Sequence, residues 1–223
     1  MRMFTHLAGA SNVHRRMEAL RGGIFYASNP TVGTGITLTA NTTAYSAVLG
    51  MMNIYNSATP NSVSPQVEWI VPIALQLRAT QANTSGTSYH LTGYLDVGTR
   101  YSSGGSAITP VTTALSGVTG YTARTSKATI HFGALTIAAA TASEKKVFDL
   151  QVSDVVFAAD DTVWVMFGGE GVADGAGNAY LVPAPPVWIG PGANLSIHEW
   201  SPSASDDAAW TFNFYYAEFP SSS

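Results

Sequence analysis

Two residue types that commonly bind metal ions, histidine and glutamate, are adjacent at His198-Glu199. A zinc-protease helix needs a second histidine three residues after the glutamate, and Pro202 occupies that position. The surrounding residues alternate like those of a strand, so two ligands would not share one helical face. We therefore expect His198 to be a histidine of the surface or of a subunit contact rather than a zinc ligand.

Other residue types that support catalysis do not occur in catalytic patterns. The five histidines lie in separate segments, and the chain has neither a cysteine nor a G-x-S-x-G motif. The doublets Asp160-Asp161 and Asp206-Asp207 each precede a predicted strand, where adjacent side chains point to opposite faces. They predict turns rather than an acid–base pair. We expect a protein that is not an enzyme and has no cofactor. The enzymatic alternative is a cupin-like metalloenzyme.

A glycine-rich segment near residue 174 is a candidate calcium site. Acidic and amide side chains among glycines can surround Ca²⁺ with oxygen atoms, although the spacing here is not that of an EF-hand. A simple turn is the other interpretation. The ligands to consider are Glu170, Asp174 and Asn178.

Composition favours a protein that assembles with copies of itself. Hydrophobic residues make up 46% of the 223 residues and charged residues only 11%, against about a quarter in ordinary soluble domains. A surface with so few charges is typical of a protein partly covered by other subunits. No apolar stretch reaches the ~18 residues of a membrane helix. The body is acidic and would repel a phosphate backbone, so we expect neither a membrane nor a nucleic acid as partner.

The few charges are unevenly placed. The N-terminal segment, residues 1–22, carries a local charge of +3, because four arginines outweigh Glu18. Since the whole chain carries −4, the rest carries −7. This pattern predicts a basic arm that docks on a larger partner; a terminus without fixed structure is the alternative. The arginines are Arg2, Arg15, Arg16 and Arg21.

From Ile24 onward apolar residues recur at every second position, which is the period of β-strands. In the longest predicted strand, 66–79, we expect Val71, Leu75 and Leu77 to share a face and Pro72 to lie at an edge or a bulge. A second bulge is expected at Gly133. The predicted strands are 24–28, 35–39, 44–55, 66–79, 88–97, 127–139, 147–152, 162–167, two strands within 187–200 on either side of a turn at 190–192, and 209–219.

About ten strands separated by turn residues predict a single all-β domain over residues 23–223. The expected architecture is an antiparallel jelly-roll β-sandwich with an extended N-terminal arm. The glycine-rich stretch 98–126 is predicted to be a long loop or a weak hairpin that contacts a neighbour or a ligand. The stretch 168–186 is predicted to be a loop with a short Ala-Tyr-Leu-Val segment.

The last third of the chain resembles known virion proteins. The run from Trp188 to His198, followed by the aromatic strand from Trp210 to Phe219, resembles the end of jelly-roll domains in bacteriophage virion proteins. Trimers similar to tumour necrosis factor and C1q close in a comparable way. The resemblance implies a homotrimer that lies either in a fibre or on the capsid surface. On the capsid, a decoration (cement) protein binds the major capsid protein, and the basic arm would act as a clamp. The residues expected at the trimer interface are Trp210, Phe212, Tyr215 and Phe219.

A receptor- or carbohydrate-binding head of a phage fibre or tail, a lectin-like module, is the alternative. The abundant aromatic residues and the two long loops favour it, because aromatic rings stack on sugars.

Overall fold

A computed structural model of the chain describes residues 23–37, 45–59, 68–81, 89–113, 125–153, 157–168, 179–201 and 209–220. The described residues contain thirteen strands and no α-helix. The strands are β1 (Ile24–Ser28), β2 (Ile36–Thr37), β3 (Leu49–Asn56), β4 (Glu68–Ala79), β5 (Tyr89–Val97), β6 (Tyr101–Ile108), β7 (Val111–Thr112), β8 (Ala128–Ile137), β9 (Lys145–Ser153), β10 (Thr162–Phe167), β11 (Ala179–Ala184), β12 (Ala193–Trp200) and β13 (Ala209–Pro220).

The strands form two sheets, which confirms the predicted all-β sandwich. Sheet I has the order β11-β10-β4-β13-β1-β7, with the short β2 paired to β13. Sheet II has the order β6-β8-β3-β12-β5-β9. Every pairing is antiparallel except that between β10 and β11, which is parallel. The sheets enclose one hydrophobic core to which both contribute buried side chains.

The pairing of the strands is nested along the chain. The first strand pairs with the last, β1 with β13, and β3 pairs with β12. Further inward, β4 pairs with β10 and β5 pairs with β9. These nested pairs alternate between sheet I and sheet II. Strands distant in sequence are therefore neighbours in space, and the ends of the described domain lie side by side.

Alternation of apolar side chains explains how the core forms. On β13, Phe212 and Phe214 point inward and are no more than 1% exposed. The ring of Phe212 stacks on Phe132 of sheet II at a centroid distance of 4.1 Å, which joins the two sheets. At one end of the core, Phe157 packs edge-on against Trp210 at 5.0 Å. Burial of such rings from both sheets stabilises the sandwich.

Both predicted bulges are present. The register between β4 and β13 shifts between Tyr215 and Tyr216, beside Pro72, whose missing amide is tolerated at such an irregularity. The register between β3 and β8 shifts opposite Gly133, which has a φ of 120°. A residue with a Cβ rarely adopts this conformation, so glycine is favoured there.

The bulge in β4 corrects one part of the predicted face. Leu75 and Leu77 belong to the core, but so does Ile70, which lies in the opposite phase. The irregularity beside Pro72 changes the phase, so Val71 does not share a face with Leu75 and Leu77.

The predicted loops contain strands. Within 98–126, β6 pairs with β8 at the edge of sheet II and β7 pairs with β1 at the edge of sheet I. Within 168–186, β11 lies beside β10. The loop prediction is therefore wrong for these three strands. A hairpin is not what forms either, because β6 and β7 pair with other strands rather than with each other. The predicted arm, residues 1–22, lies outside the described residues.

Candidate functional site

Several of the residues singled out in the sequence lie outside the described part of the chain. These are the four arginines of the arm, the calcium candidates and the second aspartate doublet. They are Arg2, Arg15, Arg16, Arg21, Glu170, Asp174, Asn178, Asp206 and Asp207.

The first aspartate doublet forms a turn, as predicted. Asp160 adopts a φ of 75° and pairs with Arg78 on the surface, at 2.7 Å. Asp161 is buried and accepts a hydrogen bond from the amide of Ala158 at 2.7 Å. The two side chains serve separate local roles, which agrees with the expected turn.

Two of the four predicted interface residues lie in the core of the single chain. Trp210 and Phe212 are 2% and 1% exposed and pack against other core rings. Their side chains leave no surface for a second subunit, so their assignment to a subunit contact is wrong. The physical reason is that both faces of β13 carry rings, and alternation alone does not tell which face meets the core.

The other two predicted residues, Tyr215 and Phe219, are half-buried. Tyr215 points away from the core, because Phe214 on its N-terminal side points into it. It is opposite Tyr26 of β1, at a ring distance of 5.1 Å, and burial raises its pKa above the ordinary value. This outward surface of sheet I is here called the sheet I face.

The sheet I face carries a continuous row of uncharged side chains across six strands. Strand pairing places Tyr215 beside Tyr26 on one side and Ala74 on the other. At the ends of this row Val111 is 53% exposed and Pro183 is also exposed. The full row is Val111, Tyr26, Tyr215, Ala74, Met166 and Pro183.

A second row on the same face is polar at one end and apolar at the other. The Tyr26 hydroxyl donates to Asn213 Oδ1 at 2.5 Å, and Asn213 Nδ2 donates to Gln76 Oε1. Next to Gln76 come the half-buried Trp164 and then Leu181, which is 41% exposed. Neither row contains a charged residue. The sheet I face therefore offers a surface of aromatic, aliphatic and amide side chains without ion pairs in these rows.

Sheet II carries the three histidines of the described residues, and none of these three belongs to a cluster that could bind a metal. His131 stacks on Tyr101 at 3.6 Å and His90 stacks on Trp200 at 4.4 Å. The described part of the chain contains no group of three or more histidine, aspartate or glutamate side chains that could hold a metal ion.

His198 is buried rather than exposed, which corrects the expectation of a surface or interface histidine. It is 2% exposed, and its Nδ1 lies 2.7 Å from the carbonyl oxygen of Leu49. The rings of Tyr45 and Tyr94 pack edge-on against it at 5.4 and 5.7 Å. Burial lowers the pKa of His198, so the imidazole stays neutral at pH 7. Burial and a hydrogen bond with Tyr94 also raise the pKa of Tyr45.

A buried ion cluster lies at the end of β5, and no sequence motif predicted it. Arg100 is 3% exposed, and its Nη1 donates to Asp96 Oδ2 at 2.6 Å and to Glu144 Oε1 at 2.7 Å. Its Nε donates to the carbonyl oxygen of Ala138 at 2.8 Å. Burial alone would raise the pKa of Asp96, but hydrogen bonds from Thr141, Val97 and Arg100 lower it overall. The cluster ties the connection between β8 and β9 to sheet II.

Three polar side chains in the middle of sheet II are buried, which the sequence pattern also did not predict. Asn53, Asn194 and Ser196 are at most 1% exposed. Both amide groups donate to Ser196 Oγ, at 3.1 and 2.8 Å. Each lies on the side of its strand that faces away from the hydrophobic core, since Ile54, Leu195 and Ile197 occupy the inward positions. Alternation places polar residues there but does not reveal that they are covered.

No helix among the described residues is long and apolar enough to cross a membrane. No protein-family model matches the chain, and no curated protein or solved structure matches it. Its function is therefore inferred from its own surfaces.

Proposed function

We propose that this chain is a structural virion protein, without enzymatic activity, that forms a homotrimer and decorates the capsid surface. The subunits contact one another through the sheet I face. The basic arm, residues 1–22, binds the major capsid protein and stabilises the shell.

The nested pairing of strands supports a jelly-roll winding. A jelly roll arises when a long antiparallel ribbon folds so that its successive strand pairs alternate between two sheets. The pairs β1–β13, β3–β12, β4–β10 and β5–β9 follow this scheme, with β2, β6–β8 and β11 as additions. The resemblance to phage virion proteins implies a jelly roll, and the nested pairing supports that part of the proposal.

The observation that carries the proposal is the uncharged sheet I face. Its central rows run from Val111 to Pro183 without a charge, and the ion pair between Arg78 and Asp160 lies outside these rows. Subunit contacts are typically depleted in charge and enriched in tyrosine, tryptophan and methionine at their centre. Tyr215, Trp164 and Met166 are half-buried in the single chain, so a partner would complete their burial.

Substitution of Tyr215 by glutamate should dissociate the oligomer. A carboxylate at the centre of an apolar contact loses its hydration without gaining a partner, which is strongly unfavourable. Light scattering on a sizing column should give three times the chain mass of 23.4 kDa for the natural protein and a single chain mass for Tyr215→Glu.

The matched control is Gln151→Glu, which introduces the same carboxylate on the exposed surface of sheet II. It should leave the trimer intact. Circular dichroism must show that both variants remain folded. A natural protein that is monomeric at micromolar concentration would refute the proposed self-association.

Removal of residues 1–22 should abolish binding to capsid shells and leave the trimer unchanged. Three arms binding at once give an avidity that a single arm lacks. Co-sedimentation with the virion's capsid shells measures the loss.

Two variants of the intact chain test whether the arm acts by charge. Replacing its four arginines with alanine should release the protein from the shells, whereas replacing them with lysine should retain binding that weakens with salt. If the protein still binds shells after deletion of the arm, the proposed clamp is contradicted, whereas the proposed trimer is not.

A further inference from the structure

We infer that the half-exposed pair Trp200 and His90 on sheet II is a binding platform for a neutral saccharide. The platform consists of Trp200, His90, Thr92, Asp149, Gln151 and Lys146. It lies on the opposite side of the sandwich from the sheet I face, so it is independent of the proposed self-association.

Strand pairing brings these residues together from β12, β5 and β9. Trp200 is opposite His90, and His90 is opposite Gln151. One step along the sheet, Thr92 is opposite Asp149. These side chains point away from the core, because Leu91 and Val152, their neighbours in sequence, point into it.

The indole ring is held in a fixed orientation. Trp200 Nε1 donates to Thr92 Oγ1 at 2.9 Å, and this hydroxyl donates to Asp149 Oδ1 at 3.0 Å. The rings of Trp200 and His90 are nearly parallel, at 17° and a centroid distance of 4.4 Å. A ring already fixed by its neighbours loses little conformational entropy when a ligand binds.

Polar groups stand beside the aromatic surface. Asp149 and Gln151 project from the same face of β9 and are exposed, so both lie within reach of a ligand on this surface. Asp149 already accepts hydrogen bonds from Thr92 and Lys146, and a carboxylate has room for further donors. A sugar ring presents an apolar C–H face, which packs on an aromatic ring, and hydroxyl groups at its rim, which need such partners. An apolar surface with a few convergent polar groups is the usual composition of a small-molecule site.

The local charge favours a neutral sugar over an anionic one. Lys146 is the cation of the platform, and its Nζ lies 3.2 Å from Asp149 Oδ2, where both side chains are partly exposed. The pair leaves no net charge to attract a carboxylate or a phosphate.

The test uses the full-length protein and a panel of neutral methyl glycosides: hexoses, N-acetylhexosamines and 6-deoxyhexoses. The chain has five tryptophans, and the indole NH signal that disappears in Trp200→Ala identifies Trp200 in a proton–nitrogen correlation spectrum. A millimolar concentration of at least one glycoside should shift that signal in the natural protein. Saturation-transfer measurements should detect the same glycoside.

Two variants and one control locate the site. Trp200→Ala and Asp149→Ala should each weaken binding by about tenfold or more. Trp164→Ala removes a half-buried tryptophan from the sheet I face and should leave saccharide binding unchanged, even where it disturbs the trimer. The inference is overturned if no glycoside moves the Trp200 signal, or if the folded Trp200→Ala variant binds as well as Trp164→Ala.

Discussion

Replacement of Arg100 by methionine is expected to lower the free energy of unfolding by about 3–5 kcal/mol. Methionine is similar in length and apolar, so the packing volume changes little. The loss comes from the carboxylate of Asp96, which is 1% exposed and would remain buried without its cation. Glu144, 24% exposed, would lose the same partner. Denaturant unfolding followed by tryptophan fluorescence measures the change.

The matched control is Arg78→Met, which breaks an ion pair of the same chemical type on the surface. Its arginine and aspartate side chains are 54% and 71% exposed, so solvent already screens their attraction. We expect a change of about 0.5 kcal/mol or less. Equal effects of the two substitutions would show that the buried cluster of Arg100 is not a main source of stability.

The loss in the free energy of unfolding that Arg100→Met causes should become smaller in acid. The folded pKa of Asp96 lies below its unfolded value of about 3.9, so its contribution to stability is fully present above that value. The contribution is lost as the pH falls through the folded pKa. Without Arg100 the buried Asp96 carries an unpaired charge, and protonation removes the cost of that charge. The free energies of unfolding of the natural protein and of Arg100→Met should therefore converge as the solution is acidified.

Strands formed by regular alternation were predictable, because period two is a local property of the sequence. The predicted first strand, residues 24–28, has the observed bounds, and the bulge at Gly133 follows from a change of phase in the apolar residues. Strand β6 was not predictable in this way. Its sequence, Tyr-Ser-Ser-Gly-Gly-Ser-Ala-Ile, has weak strand propensity, and it is held by pairing with β8, a contact distant along the chain.

The buried polar residues were hidden for a related reason. Asp96 and Arg100 are four residues apart, a spacing visible in the sequence, but Glu144 joins them only because β5 and β9 are neighbours. His198 lies on the face of its strand opposite to Ile197, as alternation predicts, but the rings of Tyr45 and Tyr94, both distant in sequence, pack against it. Alternation separates the two faces of a strand; it does not say which face is covered.

Substitution of Phe212 by alanine is expected to lower the free energy of unfolding by about 3–5 kcal/mol. Phe212 is 1% exposed and stacks on Phe132 across the two sheets, so its removal leaves a cavity at the centre of the core. The effect should appear equally at low and high protein concentration, because it belongs to the single chain. Thermal and denaturant unfolding at two concentrations measure it.

Tyr215→Ala, three residues further along β13, provides the comparison on the opposite face. It removes a ring that contacts Tyr26 on the sheet I face, a cross-strand pair that contributes about 1 kcal/mol or less within one chain. Its larger effect should be on the proposed trimer, whose weakening would make unfolding depend more steeply on concentration. If Phe212→Ala instead dissociated a stable subunit, the inward side of β13 would be the contact, as the aromatic pattern first indicated. The burial of Phe212 predicts the opposite: the inward face of the strand packs in the core of the single chain, and the outward face is the proposed subunit contact.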